Sequence, residues 1–133
     1  FFKKKRLSLI IKIERSDLMN LFIWYPKCST CQKARQALEE KGLSLELRDI
    51  KQDNPTKEEL KTWIKNSNLP IKSFFNTSGL LYRNQNLKEK IPHMSEEEQI
   101  DLLSTDGMLV KRPILITDDK IIVGYKKKEY ESL

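Results

Sequence analysis

Two cysteines, Cys28 and Cys31, stand two residues apart in WYPKCSTCQKARQALEEKG, residues 24–42, and the chain has no others. A C-x-x-C pair can hold a metal, fill a core, or cycle between dithiol and disulfide. A tetrahedral zinc site takes four ligands, and only one histidine, His93, is available to add to the pair. Carboxylates would have to complete such a site, which argues against a metal. A buried cysteine behaves as a small hydrophobe and needs no partner. That suffices for Cys31, but Cys28 precedes the helical pattern beside Pro26 and Lys27. Core filling does not account for it.

The redox reading explains both position and spacing. A helix N-terminus presents unpaired amide N–H groups and a partial positive charge, which favour thiolate over thiol. Lowering a thiol pKa from ~8.5 to about 6.5 takes roughly 2.7 kcal/mol of preference for the anion. A helix terminus gives ~0.3–1 kcal/mol, rising to about 2 when partly buried. Lys27, or a basic group brought from elsewhere in the chain, must therefore contribute. Geometry adds a second demand. Residues at i and i+3 within a helix have Cβ atoms about 5–6 Å apart, whereas a disulfide needs about 3.5–4.5 Å. Cys28 is thus expected at or before the helix cap, with Ser29 or Thr30 taking up the turn. In such a pair Cys28 is the attacking nucleophile and Cys31 the resolving thiol.

The surrounding pattern supplies elements to position the pair. Residues 21–24 form a short apolar run that predicts a buried strand. Residues 29–41 read as a helix with Cys31, Ala34 and Leu38 on its apolar face, and Gly42 stands where the C-terminus calls for positive φ. Leu43, Leu45 and Leu47 alternate with polar residues, predicting a strand with one buried face. Strand, helix and strand within about thirty residues read as a βαβ unit, beside which a C-x-x-C reads as a thioredoxin-like redox motif.

Thr56 with Glu59 and Ser95 with Glu98 predict capping boxes for two further helices, the second ending near Gly107. PIKSFF suggests one helical turn, and NTSG a turn. PILIT, a DD turn and KIIVG read as a β-hairpin, and KKKEYESL as a polar closing helix. Trp24, Trp63, Phe74 and Phe75 are expected in the core, Tyr25 flanking the thiol pocket, and His93 near a helix cap.

The formal charge of +6 invites a nucleic-acid reading. Its distribution argues otherwise: residues 1–18 carry a net +4, and the other 115 residues hold 19 basic against 17 acidic groups. No direct nucleic-acid partner and no membrane partner are expected. Residues 1–18, FFKKKRLSLIIKIERSDL, lack a signal peptide's apolar run and small-residue cleavage site. They are expected to be a non-native or disordered leader, translated from upstream sequence, with the true start at Met19.

YPKCSTC, FFNTSG, YRNQNLKEK, STDGMLVKRP and VGYKKKEYE, in this order, resemble the blocks of the arsenate reductase/Spx family, and the likeness covers residues 19–133. It is greatest with a small bacterial subgroup that carries the C-x-x-C. The resemblance implies one α/β domain over 19–133, a thioredoxin-like mixed four-stranded sheet of order βαβ, helical insertion, ββα. Residues from about 70 to 107 would be the insertion. It also implies a cis-proline at Pro113 beside the cysteine, with Arg112 facing Cys28.

Glutaredoxin-linked arsenate reductases of the family use one cysteine at the position of Cys28, a histidine four residues earlier, and three arginines. Here the histidine position is Trp24 and the first arginine position is Asn76, with Arg83 a few residues downstream. The second arginine is Arg112, and the third falls near Gly124 and Tyr125. Cys31 resembles instead the C-x-x-C switch of the Spx regulators, which bind the RNA polymerase α subunit.

The resemblance therefore implies catalytic Cys28, Cys31 and Arg112, with Lys27, Ser29, Thr30, Asn76 and Pro113 around the substrate. Thiol–disulfide oxidoreduction is the expected activity; arsenate reduction on Cys28 and Arg112, and redox-sensing regulation, are the alternatives. The expectation is a cytoplasmic monomer without bound metal or organic cofactor. Its substrate is a disulfide or oxyanion, and its electrons come from glutathione, glutaredoxin or thioredoxin.

Overall fold

A computed structural model describes residues 19–133; the expected leader, residues 1–18, lies outside the described residues. The apolar run before the cysteines becomes β1 (Met19–Trp24), an interior strand of a four-stranded mixed sheet of order β2-β1-β3-β4. β1 runs parallel to β2 (Ser44–Asp49) in the register Met19↔Ser44 to Trp24↔Asp49. On its other side it pairs antiparallel with β3 (Ile114–Ile116), Phe22 opposite Leu115. The expected hairpin then returns through β4 (Ile121–Val123).

Because strand side chains alternate between faces, neighbouring residues of β1, β3 and β4 serve two cores. Phe22, Leu115 and Ile122 join Ala34, Leu38 and Tyr130 on one face. Ile23, Ile114 and Val123 join Ile50, Leu60, Trp63, Phe74 and Leu103 on the other. Full burial of each large apolar side chain contributes ~1.5–3 kcal/mol. The sheet is therefore covered on both sides. Among the described residues no helix is long and apolar enough to cross a membrane.

Helix α1 (Ser29–Glu40) lies over the first face and buries Cys31, Ala34 and Leu38. It ends as the sequence predicts: Gly42 takes φ +84°, and the Leu43 N–H reaches back to the Leu38 carbonyl at 3.2 Å. α2 (Lys57–Ser67) starts at the Thr56–Glu59 capping box. Residues 71–109 are helical in short pieces: a 3-10 turn (Ile71–Phe74), α3 (Leu80–Asn84), α4 (Leu87–Lys90), a second 3-10 turn (Ile91–His93), α5 (Glu96–Leu103) from the Ser95–Glu98 box, and a third 3-10 turn (Gly107–Leu109). α6 (Lys127–Glu131) closes the chain. Phe74 and Phe75 are buried, and His93 is exposed.

Three local expectations differ from the structure. β2 is an edge strand, and the helical layer covers Leu43 and Leu45 but leaves Leu47 40% exposed. The closing helix is not wholly polar, because Tyr130 is buried. The Ser95 helix stops at Leu103 with Ser104 as its cap, before Gly107. Gly107 has a different role: a Cβ there would run into the backbone carbonyl of Ile50, so the bare backbone permits this close approach.

Candidate active site

Cys28 is the N-cap of α1, in an extended conformation (φ −95°, ψ 120°). Its N–H donates to the Tyr25 carbonyl at 2.9 Å and its carbonyl accepts from the Gln32 N–H at 3.0 Å, so the turn and the helix both fix it. Gln32 also braces the turn through the Pro26 carbonyl at 2.7 Å. No acidic residue occupies the helix's first turn, so nothing there opposes an anion at its positive end. Cys28 therefore stands at the cap, as expected, and not inside a regular helical turn. Both thiols are free here.

The two sulfurs have opposite environments. Burial pushes the half-buried Cys28 thiol up, but hydrogen bonds from the Cys31 amide and thiol, and from the Arg112 guanidinium, outweigh it and lower the pKa. Cys31 is fully buried; burial above all, and then the neighbouring Cys28 sulfur, push its thiol up to about 12. The more exposed sulfur is thus the more readily ionised of the two, as a nucleophile backed by a resolving thiol requires.

Arg112 arrives from the far end of the chain. The Asn76 N–H donates to the Leu109 carbonyl and the Lys111 N–H to the Phe74 carbonyl, both at 2.8 Å, around the paired Phe75 and Val110. This short ladder carries the chain directly into Arg112 and buried Pro113, whose shared peptide bond is cis. The guanidinium carbon stands 5.2 Å from the centroid of the Tyr25 ring. Its Nη1 is buried and has no hydrogen-bond partner among the described residues.

Arg112, Tyr25 and Cys31 thus meet at Cys28, with exposed Lys27, Ser29 and Thr30 beside it. The charge acting on the sulfur is that of Arg112, which answers the requirement for a basic group from elsewhere. A cavity of about 130 Å³ lined by Tyr25, Pro26, Lys27 and Asp49 adjoins the loop. Asn76 is otherwise engaged: its side-chain nitrogen donates to the Met108 carbonyl at 3.3 Å and its oxygen accepts from Ser78 at 3.4 Å. Arg83 is exposed on α3. Trp24, at the family's histidine position, is half-buried, with the Arg35 guanidinium 5.0 Å from its ring centroid. Among the described residues no group of three or more His, Cys, Asp or Glu is placed to hold a metal ion.

Two features have no signature in the motifs. Arg48 of β2 grips Glu59 of α2 through two hydrogen bonds of 2.7 and 2.8 Å, and Tyr130 of α6 is buried within the face covered by α1. The second leaves a faint trace in the sequence, one aromatic in an otherwise charged closing segment.

Comparison with known families matches the ArsC family over residues 23–133, a span holding Cys28, Cys31, Arg112 and Pro113. The chain belongs to the ArsC family. Its relatives include YusI of Bacillus subtilis, 52% identical over 110 residues that span 83% of this chain and 93% of YusI. The regulatory protein MgsR of the same organism is 31% identical over 108 residues, 81% of this chain and 84% of MgsR. Among solved structures, an ArsC family related protein from Bacteroides fragilis superposes with a TM-score of 0.83 at 52% identity, covering 86% of this chain and 97% of the other. The mixed four-stranded sheet flanked by helices is accordingly the ArsC-type, thioredoxin-like α/β fold.

Proposed function

We propose that this ArsC-family protein carries out thiol–disulfide exchange through a reversible disulfide between Cys28 and Cys31. The observation that carries the reading is the contrast at the start of α1: the Cys28 thiol is lowered, with Arg112 and Cys31 as donors, while the Cys31 thiol beneath it is raised. Cys28 attacks a substrate disulfide, Cys31 resolves the mixed disulfide, and a thiol donor such as glutathione, glutaredoxin or thioredoxin restores the dithiol. Lys27, Ser29, Thr30 and Pro113 border the incoming sulfur. The cytoplasm, where such donors are abundant, suits this cycle. Turnover of a small disulfide by a thiol reductant tests the reading: Cys28→Ser abolishes it and Cys31→Ser impairs it. Full turnover in Cys28→Ser would refute it.

One observation favours arsenate reduction as a second reading. The buried, unpartnered Nη1 of Arg112 beside the Cys28 sulfur suits an oxyanion. Arsenate-dependent consumption of reductant that survives Cys31→Ser would favour it over disulfide exchange. The likeness to MgsR, a regulatory protein, supports a third. There the pair would be a redox switch governing contact with the RNA polymerase α subunit, read out as redox-sensitive co-purification.

A further inference from the structure

β1 and β2 run parallel with Trp24 opposite Asp49, and the Ile50 N–H donates to the Trp24 carbonyl at 2.8 Å. Two segments therefore leave the same end of the sheet side by side: the turn that carries Cys28 and the loop after β2. Between them lies the cavity of about 130 Å³, lined by Tyr25, Pro26, Lys27, Asp49, Lys51 and Gln52. Tyr25 joins it to the site. Its carbonyl accepts from the Cys28 N–H, and its ring lies 5.2 Å from the Arg112 guanidinium carbon.

The cavity exceeds a water molecule's share of ~30 Å³ several times over, yet falls well short of the ~300 Å³ at which sites for whole small molecules begin. It takes one end of a ligand whose remainder lies outside. Charge decides which end. Neither the Lys27 nor the Lys51 ammonium group has an ion-pair partner among the described residues. Asp49, the one carboxylate on the wall, accepts from the Lys51 and Gln52 N–H groups through a single oxygen, at 2.8 and 3.2 Å, and so shapes the loop. Two ammonium groups against one carboxylate leave the cavity positive. A ligand carboxylate gives such donors charge-assisted hydrogen bonds.

We propose that this cavity is a carboxylate subsite, in which Lys27 and Lys51 hold the acidic end of one arm of a small disulfide while a sulfur of that disulfide meets Cys28. The proposal rests on the thiol–disulfide reading above and gives its substrate class: disulfides of small thiols that carry a carboxylate. The Cys28 thiolate attacks the near sulfur, a Cys28–substrate bond forms, the substrate's S–S bond breaks, and the leaving thiolate takes a proton from solvent. Cys31 then gives its proton to solvent and displaces the arm from Cys28 as the second thiolate. The pair is oxidised by two electrons and the disulfide is reduced to two thiols. The subsite selects which disulfide is taken, and Lys51, outside the Cys28 turn, is its diagnostic residue.

The test compares the reduced full chain reacting with dithiodipropionic acid, which carries a carboxylate on each arm, and with neutral dithiodiethanol. Each rate is divided by that of mercaptoethanol with the same disulfide, so that intrinsic reactivity cancels. The corrected ratio is expected to favour the acid, to fall about fivefold in Lys51→Gln, and to be retained in Lys51→Arg. A ratio unchanged in Lys51→Gln would overturn the proposal. A second measurement needs no exchange: in Cys31→Ser, Cys28 is alkylated with iodopropionic acid or with its amide. The acid adduct is expected to unfold at the higher temperature, and Lys51→Gln to shrink the difference; a difference unaffected by Lys51→Gln counts against the subsite. Failure of the unaltered chain to react with either disulfide would refute the exchange reading, while the adducts would still decide the role of Lys51.

Discussion

The Arg112 guanidinium helps lower the pKa of the Cys28 thiol across a separation of more than eighty residues, and two backbone contacts at 2.8 Å seat the segment just before it. Cys28 belongs to the start of the first helix and Arg112 to the last third of the chain. Arg112→Gln keeps a polar side chain but removes the charge, and is expected to raise the pH at which Cys28 becomes reactive. Alkylation by iodoacetamide near neutral pH should slow about tenfold, as for one lost charge-assisted hydrogen bond. The sign follows from the direction of the shift: a lowered thiol reacts above its folded-state pKa and falls silent as pH drops through it. Alkylation unaffected by the substitution would remove Arg112 from the site.

The clamp between β2 and α2 sets acid stability. Arg48 lowers the Glu59 carboxyl from 4.5 to about 2, chiefly by direct hydrogen bonding. Because the folded pKa is depressed, the stabilisation is complete above the unfolded value and is lost as pH falls through the folded one. After allowance for the partial exposure of the pair, the contribution is about 1–2 kcal/mol. Glu59→Gln should therefore destabilise the protein by that amount at pH ~7, and the gap to the unaltered chain should close as pH falls from ~5 towards ~2. Urea unfolding at several pH values measures it; a gap independent of pH would contradict the account.

Asn76 offers a discriminating substitution, because the family resemblance sets it at an anion-ligand position while the structure engages both ends of its side chain. Asn76→Ala is expected to cost about 1 kcal/mol of stability through the lost bond to the Met108 carbonyl. Cys28 alkylation should stay as it was. A large loss of thiol reactivity at unchanged stability would place Asn76 at the substrate site.

Gly107→Ala tests how the helical segment docks onto the loop after β2. The added methyl meets the Ile50 carbonyl, a backbone atom that cannot rotate away, so a loss of about 2–3 kcal/mol is expected. Thermal unfolding at unaltered stability would show that the backbone gives way at no cost.

The parts of this fold that were legible in the sequence are those written locally. Thr56 with Glu59 and Ser95 with Glu98 mark helix starts because the side chain and the amide it caps are three residues apart. The place of Cys28 at the cap followed from the spacing of a disulfide against that of a helix. What the sequence hid depends on assembly. The exposure of Leu47 is decided by strand order, which alternation along β2 does not encode. Gly107 resembles a helix stop until Ile50, more than fifty residues earlier, is seen beneath it. The partnership of Arg48 with Glu59 and the burial of Tyr130 likewise arise only when distant elements meet. Arg112 stands between these cases: resemblance to a family pointed to it, and the fold supplies the physical reason.

The most direct test of the central claim is intact-mass measurement after the reduced protein reacts with oxidised glutathione. The unaltered chain is predicted to lose two hydrogens and carry no adduct, both electrons having passed to glutathione, while Cys31→Ser retains one glutathione on Cys28. A stable glutathione adduct on the unaltered chain, or no reaction at all, would contradict it.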